Sequence, residues 1–313
     1  MKEDIRDSFV QELIKLKKQN DNIAVLVSDS TSTCRIKPFM ELFPDGVINV
    51  GIAEQNMVGI AAGMALGGMI PITANATPFL MGRSNEQVKT DICYSNTNVK
   101  LVGLNPGFAY GSLGPTHHCI DDISTTRSFG NIHIFCPCDP KETRQIISHA
   151  VNMEGPVYIR LDSYKAENIH SSDYKFSPGE PVVIKEGKDI TIIALGTIIH
   201  EVIAAAQTLS KEGIDAEIFS LPSITPLKRE KIIKSLSKTK TVLTVEEHSV
   251  NGGVGSITGD IILEEQLNCK LLKSGVPAGT FAPASPRKDI QEEYQLDKNG
   301  IISNCRKILN RKA

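Results

Sequence analysis

A chain of 313 residues can form two domains, each able to bury its own core, which excludes peptide hormones and disulfide-held mini-proteins. With 41% hydrophobic and 22% charged residues the composition is globular, and 34 basic against 36 acidic side chains leave a formal charge of −2. Bulk charge therefore points to neither nucleic acid nor an anionic membrane. Seven cysteines, an odd number, and an opening Met1-Lys2-Glu3-Asp4-Ile5-Arg6 without a secretory apolar core predict a cytoplasmic, reducing setting with buried thiols. Cys136 and Cys138 have no second pair at zinc-site spacing, so no metal is expected there.

In chain order, residues 5–18 place Ile5, Phe9, Leu13 and Leu16 on one helical face, and residues 23–27 follow as a short apolar strand. Residues 47–50 read as a second strand. The apolar stretch 57–70 ends at Pro71, too short to cross a bilayer, and reads as a core helix. Within it Gly59, Gly63 and Gly67 leave one face nearly bare, suited to close packing either inside the domain or across a subunit interface. Strands at 99–102, 132–135 and 157–160, with a helix near 140–152, complete an alternating series. Residues 163–188, rich in Ser, Tyr, Lys, Pro and Gly, read as a connection.

A second series follows: a strand at 189–195, a helix near 200–211 stopped by Gly213, a strand at 216–220, a helix start at Pro226 and a strand at 241–245. The glycine-rich run Asn251-Gly252-Gly253-Val254-Gly255 comes next, either a tight turn or a nest of amides for an anion. The fold class is α/β, with two domains that are each a mostly parallel sheet flanked by helices. They span residues 1–165 and 189–313, joined by a linker at 166–188.

Two segments carry candidate chemistry. In Gly51-Ile52-Ala53-Glu54-Gln55-Asn56-Met57 a buried strand turns into a helix with a carboxylate at the turn. Burial opposes ionisation of Glu54 while a helix start favours it, a combination that suits a functional carboxylate, the alternative being a glutamate that merely caps its own helix. In Tyr110-Gly111-Ser112-Leu113-Gly114-Pro115-Thr116-His117-His118 a glycine-rich loop presents two histidines, whose imidazoles can exchange protons near neutrality.

Together, Gly51–Met57 and Gly114-Pro115-Thr116-His117 resemble the pyrimidine-binding domain of transketolase, and residues 245–253 resemble part of its C-terminal domain. The resemblance covers essentially the whole chain. It implies thiamine diphosphate as cofactor, with Glu54 hydrogen-bonded to the pyrimidine ring, Phe79 as its aromatic face and Asp29 near the ring. It further implies His117 on the substrate and assisting its proton transfers, with His118 packing behind it. The Gly-Asp-Gly segment that holds the diphosphate and its divalent metal in transketolases is absent. The chain thus resembles the C-terminal subunit of a split transketolase. An N-terminal partner subunit would hold the diphosphate with Mg2+ or Ca2+, in an α2β2 heterotetramer that moves two-carbon ketol units between sugars.

Three positions depart from the family pattern. Leu113 replaces an aspartate that senses a substrate hydroxyl, Asn105 a histidine, and Ser163 an arginine that holds the substrate phosphate. Arg6 and Thr33 match other phosphate-contacting positions, and Arg35, Lys37, Arg160 and Lys165 are possible substitutes. Loss of a bidentate arginine weakens phosphate binding, so the resemblance implies a non-standard sugar: one with another anion, or a branched or deoxy sugar. Competing readings are a 1-deoxy-D-xylulose-5-phosphate synthase, the beta chain of a 2-oxo acid dehydrogenase and a non-catalytic module that stabilises a partner.

Overall fold

The computed structural model describes residues 2–311. They divide into two compact units, one built from the chain up to Pro106 with Thr125–Phe176, the other from Gly107–Ser124 and the chain from Ser177 onward. Gly107–Ser124, which lies inside the 1–165 span read from the sequence, thus has its contacts in the second unit. There Gly107 pairs with Cys119, the Ser249 amide donates to Ile120 O at 2.7 Å, and the Phe108 amide donates to Glu247 Oε2 at 3.2 Å.

The first unit opens with α1 (Ile5–Lys17), capped by Asp4, whose carboxylate accepts the Arg6 amide at 3.0 Å. Its predicted stripe of Ile5, Phe9, Leu13 and Leu16 is buried in the core. The chain then forms β1 (Ile23–Val27), β2 (Val47–Asn49), α2 (Glu54–Leu66), β3 (Ile70–Ala76), β4 (Lys100–Leu104), β5 (His133–Phe135), α3 (Pro140–Asn152) and β6 (Val157–Leu161). These strands are all parallel, in the order β5-β6-β4-β3-β1-β2. From β1 the chain crosses first to β2 on one side and then to β3 on the other. The carboxyl ends of β1 and β3 therefore flank the crevice where parallel α/β sheets bind ligands.

Strand β3 is a departure from the sequence reading, in which Pro71 ended a helix and nothing followed. The helix stops at Leu66, and Pro71 lies inside a central strand. Proline is tolerated because Ile70 N donates toward β1, to Asn22 O at 2.9 Å, so alternation turns the Pro71 nitrogen to the opposite side. There pairing with β4 begins only at Ile72, and no ladder hydrogen bond is lost. Among the described residues, nothing outside its chain neighbours and its own helix backbone would approach a Cβ added at Gly63 within 4 Å, so packing against other elements of the domain does not explain this glycine.

The second unit contains β7 (Val182–Lys185), β8 (Ile190–Ala194), α4 (Ile199–Lys211), β9 (Ala216–Ser220), α5 (Glu230–Thr239), β10 (Thr241–Ser249), α6 (Val254–Glu264), β11 (Lys270–Val276) and α7 (Lys298–Ile308). Its five-stranded sheet runs β11-β10-β8-β9-β7, parallel except for β7. The linker thus contributes an edge strand to this sheet. Pro226 does not start a helix: it follows Thr225 in a cis peptide, and α5 begins at Glu230. Strand β10 runs four residues beyond its predicted end and carries two buried carboxylates. Glu246 accepts the Val254 and Gly255 amides at 2.7 and 2.8 Å, so the glycine-rich run binds the chain's own carboxylate as its anion. Glu247 takes a bidentate pair from Arg287 and a hydrogen bond from Gln291 at 2.6 Å.

None of the seven cysteines is in a disulfide and six are buried; burial pushes Cys34, Cys93 and Cys305 up to about 12. Among the described residues no helix is long and apolar enough to cross a membrane.

After β6 the chain is fastened back onto α3. His170 Nε2 lies 3.0 Å from Glu142 Oε1, its ring stacks on Tyr174 at 3.9 Å, and the Tyr174 hydroxyl donates to Glu142 at 2.7 Å. Cys138, Asp139 and His170 bring potential metal-ligand atoms within 4.8 Å, but Asp139 is engaged by the Glu142 and Ile169 amides and His170 by Glu142.

Burial disfavours the imidazolium, yet the hydrogen bond and charge of Glu142, with Asp139 nearby, raise His170 above its ordinary value; the same pairing lowers Glu142. The contribution of His170 is therefore complete below the ordinary 6.5 and is lost as pH rises through the higher folded value. That of Glu142 is complete above the ordinary 4.5 and is lost as pH falls below it. Urea unfolding at about pH 6 and about pH 9 should show the stability advantage of wild type over His170→Gln shrinking at the higher pH. The His170→Gln variant should be less stable at the lower pH, with a flatter dependence. An unchanged slope would remove the latch.

Candidate active site

The carboxyl ends of neighbouring strands assemble the first cluster. β1 ends in Val27, and the Ser28 hydroxyl donates to Gly51 O at 2.7 Å and accepts the Ala53 amide at 2.9 Å, tying the turn after β2 to the end of β1. Asn49 Oδ1 accepts the amides of Asp29 and Gly51. Gly51 has φ +73°, a left-handed conformation that favours glycine, and this turn sets the start of α2.

Glu54 is the first residue of α2 and its side chain is 3% exposed. It caps nothing: Ala53 is the N-cap and no side chain bonds the free amides there. Its carboxylate turns to β3 and beyond, where Asn75 Nδ2 donates to Oε1 at 3.3 Å and Arg83 Nη1 donates to Oε2 at 2.6 Å. This geometry removes the reading of Glu54 as a helix cap. The same Arg83 guanidinium also stands 4.8 Å from the ring centroid of Phe79, half-buried in the segment Pro78–Arg83. The structure thus brings Glu54 and Phe79 to one place through Arg83.

Asn75 and Arg83 were not among the residues singled out from the sequence. A polar residue in an apolar strand is a signal for Asn75, and the i, i+4 spacing from Phe79 is one for Arg83. The cluster accepts a flat, hydrogen-bond-donating group, since a guanidinium already sits against the ring and the carboxylate. It therefore fits an aminopyrimidine.

Other sequence candidates occupy the same edge of the first unit without joining that cluster. Asp29, left-handed at φ 49°, is exposed just past β1. Asn105 follows β4, also left-handed, with its amide donating to Leu161 O at 3.0 Å. Its side-chain Oδ1 is buried without a hydrogen-bond partner among the described residues. Arg6 and Thr33 do meet, Arg6 Nη1 donating to Thr33 O at 3.4 Å. Arg6 is, however, held by buried Asp4 at 2.8 and 3.0 Å, and Arg35 pairs with Asp4 and Asp7, so these two cations face two carboxylates. Ser163 donates its amide to Asp162 Oδ1 at 2.7 Å.

The second unit carries the histidine loop. Gly114 adopts φ 77°, ψ −168°, open essentially to glycine alone, and Ala284 lies 3.0 Å from where its Cβ would be. The amides of His117 and His118 both donate to Gly114 O, winding the Gly-Pro-Thr-His segment into a tight turn. The Thr116 hydroxyl lies 2.9 Å from His117 Nδ1, and Tyr110 meets the ring edge-on at 5.6 Å. His118 is buried, with Nε2 2.8 Å from Gly111 O, so it supports the loop while His117 is only partly covered. Leu113 is exposed and offers no acceptor.

Comparison with known proteins places the chain in a family. Residues 2–166 match "Transketolase, pyrimidine binding domain" and residues 179–301 match "Transketolase, C-terminal domain". The chain is 46% identical over 300 residues to one of the subunits of an apulose-4-phosphate transketolase from Actinobacillus succinogenes, covering 96% of each. It is 33% identical over 310 residues to a 6-deoxy-6-sulfo-D-fructose transketolase subunit of a Clostridium species, covering 98% of this chain and 95% of that one. A solved structure described as "Split gene transketolase, inactive beta4 tetramer" superposes with a TM-score of 0.87 at 35% identity over 99% of both chains. With family matches over both units and full-length similarity to separately encoded subunits, the chain belongs to the transketolase family, as a C-terminal subunit of the split type.

Proposed function

We propose that the chain pairs with a separate diphosphate-binding subunit, as an α2β2 heterotetramer, and transfers two-carbon ketol units from a branched ketose phosphate of the apulose 4-phosphate type. The observation that carries the activity is Glu54: a buried carboxylate on the crevice edge of the sheet, diverted from helix capping and joined to Phe79 through Arg83. When bound, thiamine diphosphate supplies the nucleophilic carbon that cleaves the ketose. Glu54 would hold and return a proton at the pyrimidine-ring nitrogen, Phe79 would orient the ring by stacking, and Asn75 would keep the carboxylate in place. The diphosphate and its Mg2+ or Ca2+ belong on the partner, since the Gly-Asp-Gly segment that holds them in the family is missing here. The open surface at Gly63 suits a neighbouring backbone in that assembly.

The substrate class rests on the departures. Leu113 presents apolar surface where the family pattern has a hydroxyl-sensing carboxylate, and Asn105 offers a buried, unpaired acceptor where it has a histidine. An unpaired buried oxygen is costly until a donor such as a sugar hydroxyl reaches it. Identity is also higher to the apulose-4-phosphate relative than to the sulfofructose one. The test is ketol transfer by the reconstituted complex from apulose 4-phosphate, 6-deoxy-6-sulfofructose and xylulose 5-phosphate. The first should give the highest kcat/KM; full efficiency with xylulose 5-phosphate would overturn the substrate assignment.

A further inference from the structure

Arg83 makes two contacts at once. Its Nη1 donates to Glu54 Oε2 at 2.6 Å, and its guanidinium carbon stands 4.8 Å over the Phe79 ring. A carboxylate hydrogen bond and an aromatic face are also the two contacts through which, on the function proposed above, Glu54 and Phe79 hold an aminopyrimidine. Guanidinium shares with that ring its planarity, its delocalised π-system and an edge of N–H donors. Two flat groups cannot share the space between one carboxylate and one ring face.

We infer that Arg83 is a built-in occupant of the aminopyrimidine seat, closing over Glu54 in the unloaded subunit and leaving when the cofactor is seated. The inference rests on the assignment of Glu54 and Phe79 to that ring. The physical need for an occupant is clear, because a carboxylate that is 3% exposed and lacks a cationic partner is strongly destabilising. The means of leaving is equally plain. Asn75, the other partner of Glu54, is buried in β3, whereas the Arg83 side chain is 46% exposed and has a route to solvent. Arg83 also ends a π-helical segment, Pro78–Arg83, and a second one, Val88–Tyr94, follows after a single helical turn at Asn85–Gln87. Such π-turns concentrate at functional sites.

An occupied seat lowers apparent affinity by the fraction of molecules in which it is empty. If Arg83 fills it in 90 to 99% of unloaded molecules, Arg83→Met should tighten thiamine diphosphate binding by roughly 10- to 100-fold. The experiment is isothermal titration of thiamine diphosphate with Mg2+ into the complex reconstituted with the diphosphate-binding subunit, using wild type, Arg83→Met and Arg83→Lys. Lysine retains a cation for Glu54 but lacks the flat face, so it should also tighten binding, by less. Unchanged or weaker binding by Arg83→Met overturns the inference; if that variant does not fold, the lysine variant decides by the same criterion. Glu54→Gln assayed in parallel separates the two levels. Ketol transfer at the wild-type rate by that variant brings down the Glu54 assignment and this inference with it. Loss of transfer without tightening in the Arg83 variants overturns the role of Arg83 alone.

Discussion

Ketol transfer by the reconstituted complex is expected to fall by about 10²- to 10⁴-fold in Glu54→Gln, with subunit assembly retained. Glutamine keeps the shape of the side chain and an oxygen that accepts from Asn75 or Arg83, so the cluster around the start of α2 can persist. It cannot take up and return a proton, and that exchange is the task assigned to position 54. Because the side chain is buried on a turn tied down by Ser28 and Asn49, no neighbouring carboxylate is placed to substitute among the hydrogen bonds of this cluster. Single-turnover transfer, read beside the elution volume of the complex on size exclusion, is the decisive measurement. Activity near the wild-type level would show that the carboxylate is structural.

A smaller but still large effect is expected at His117. Replacing it with alanine should lower kcat/KM by about 10²-fold for ketose donors, with thiamine diphosphate affinity unchanged. The Gly114 turn sets the backbone of the loop through amide donors from both histidines, and His118, bonded to Gly111 O, supports it from behind. The substitution therefore removes an imidazole from a loop that keeps its shape. Thr116 at Nδ1 orients the ring, so Thr116→Val should reproduce part of the loss through misalignment. A pH profile of kcat/KM that is identical in wild type and His117→Ala would refute a proton-transfer role, as would unaltered kinetics with every donor.

What could be read along the chain was local. The α1 stripe of Ile5, Phe9, Leu13 and Leu16 and the apolar run at β1 were legible because periodicity and side-chain polarity act over a few residues. The family was legible because Glu54 and His117 each sit in a short glycine-bearing motif, and the order of the two motifs matches it.

Chemistry decided by distant partners was not legible. Pro71 looked like a terminator, and only the register of β3 between β1 and β4 shows why its missing amide costs nothing there. The glycine-rich run at 251–255 carried no sign that Glu246, several residues earlier, fills it. Arg83 lies 29 residues from the carboxylate it pairs with. No spacing rule joins two such positions, because a salt bridge depends on where folded elements meet, and that is settled by the packing of the whole sheet rather than by any window of sequence.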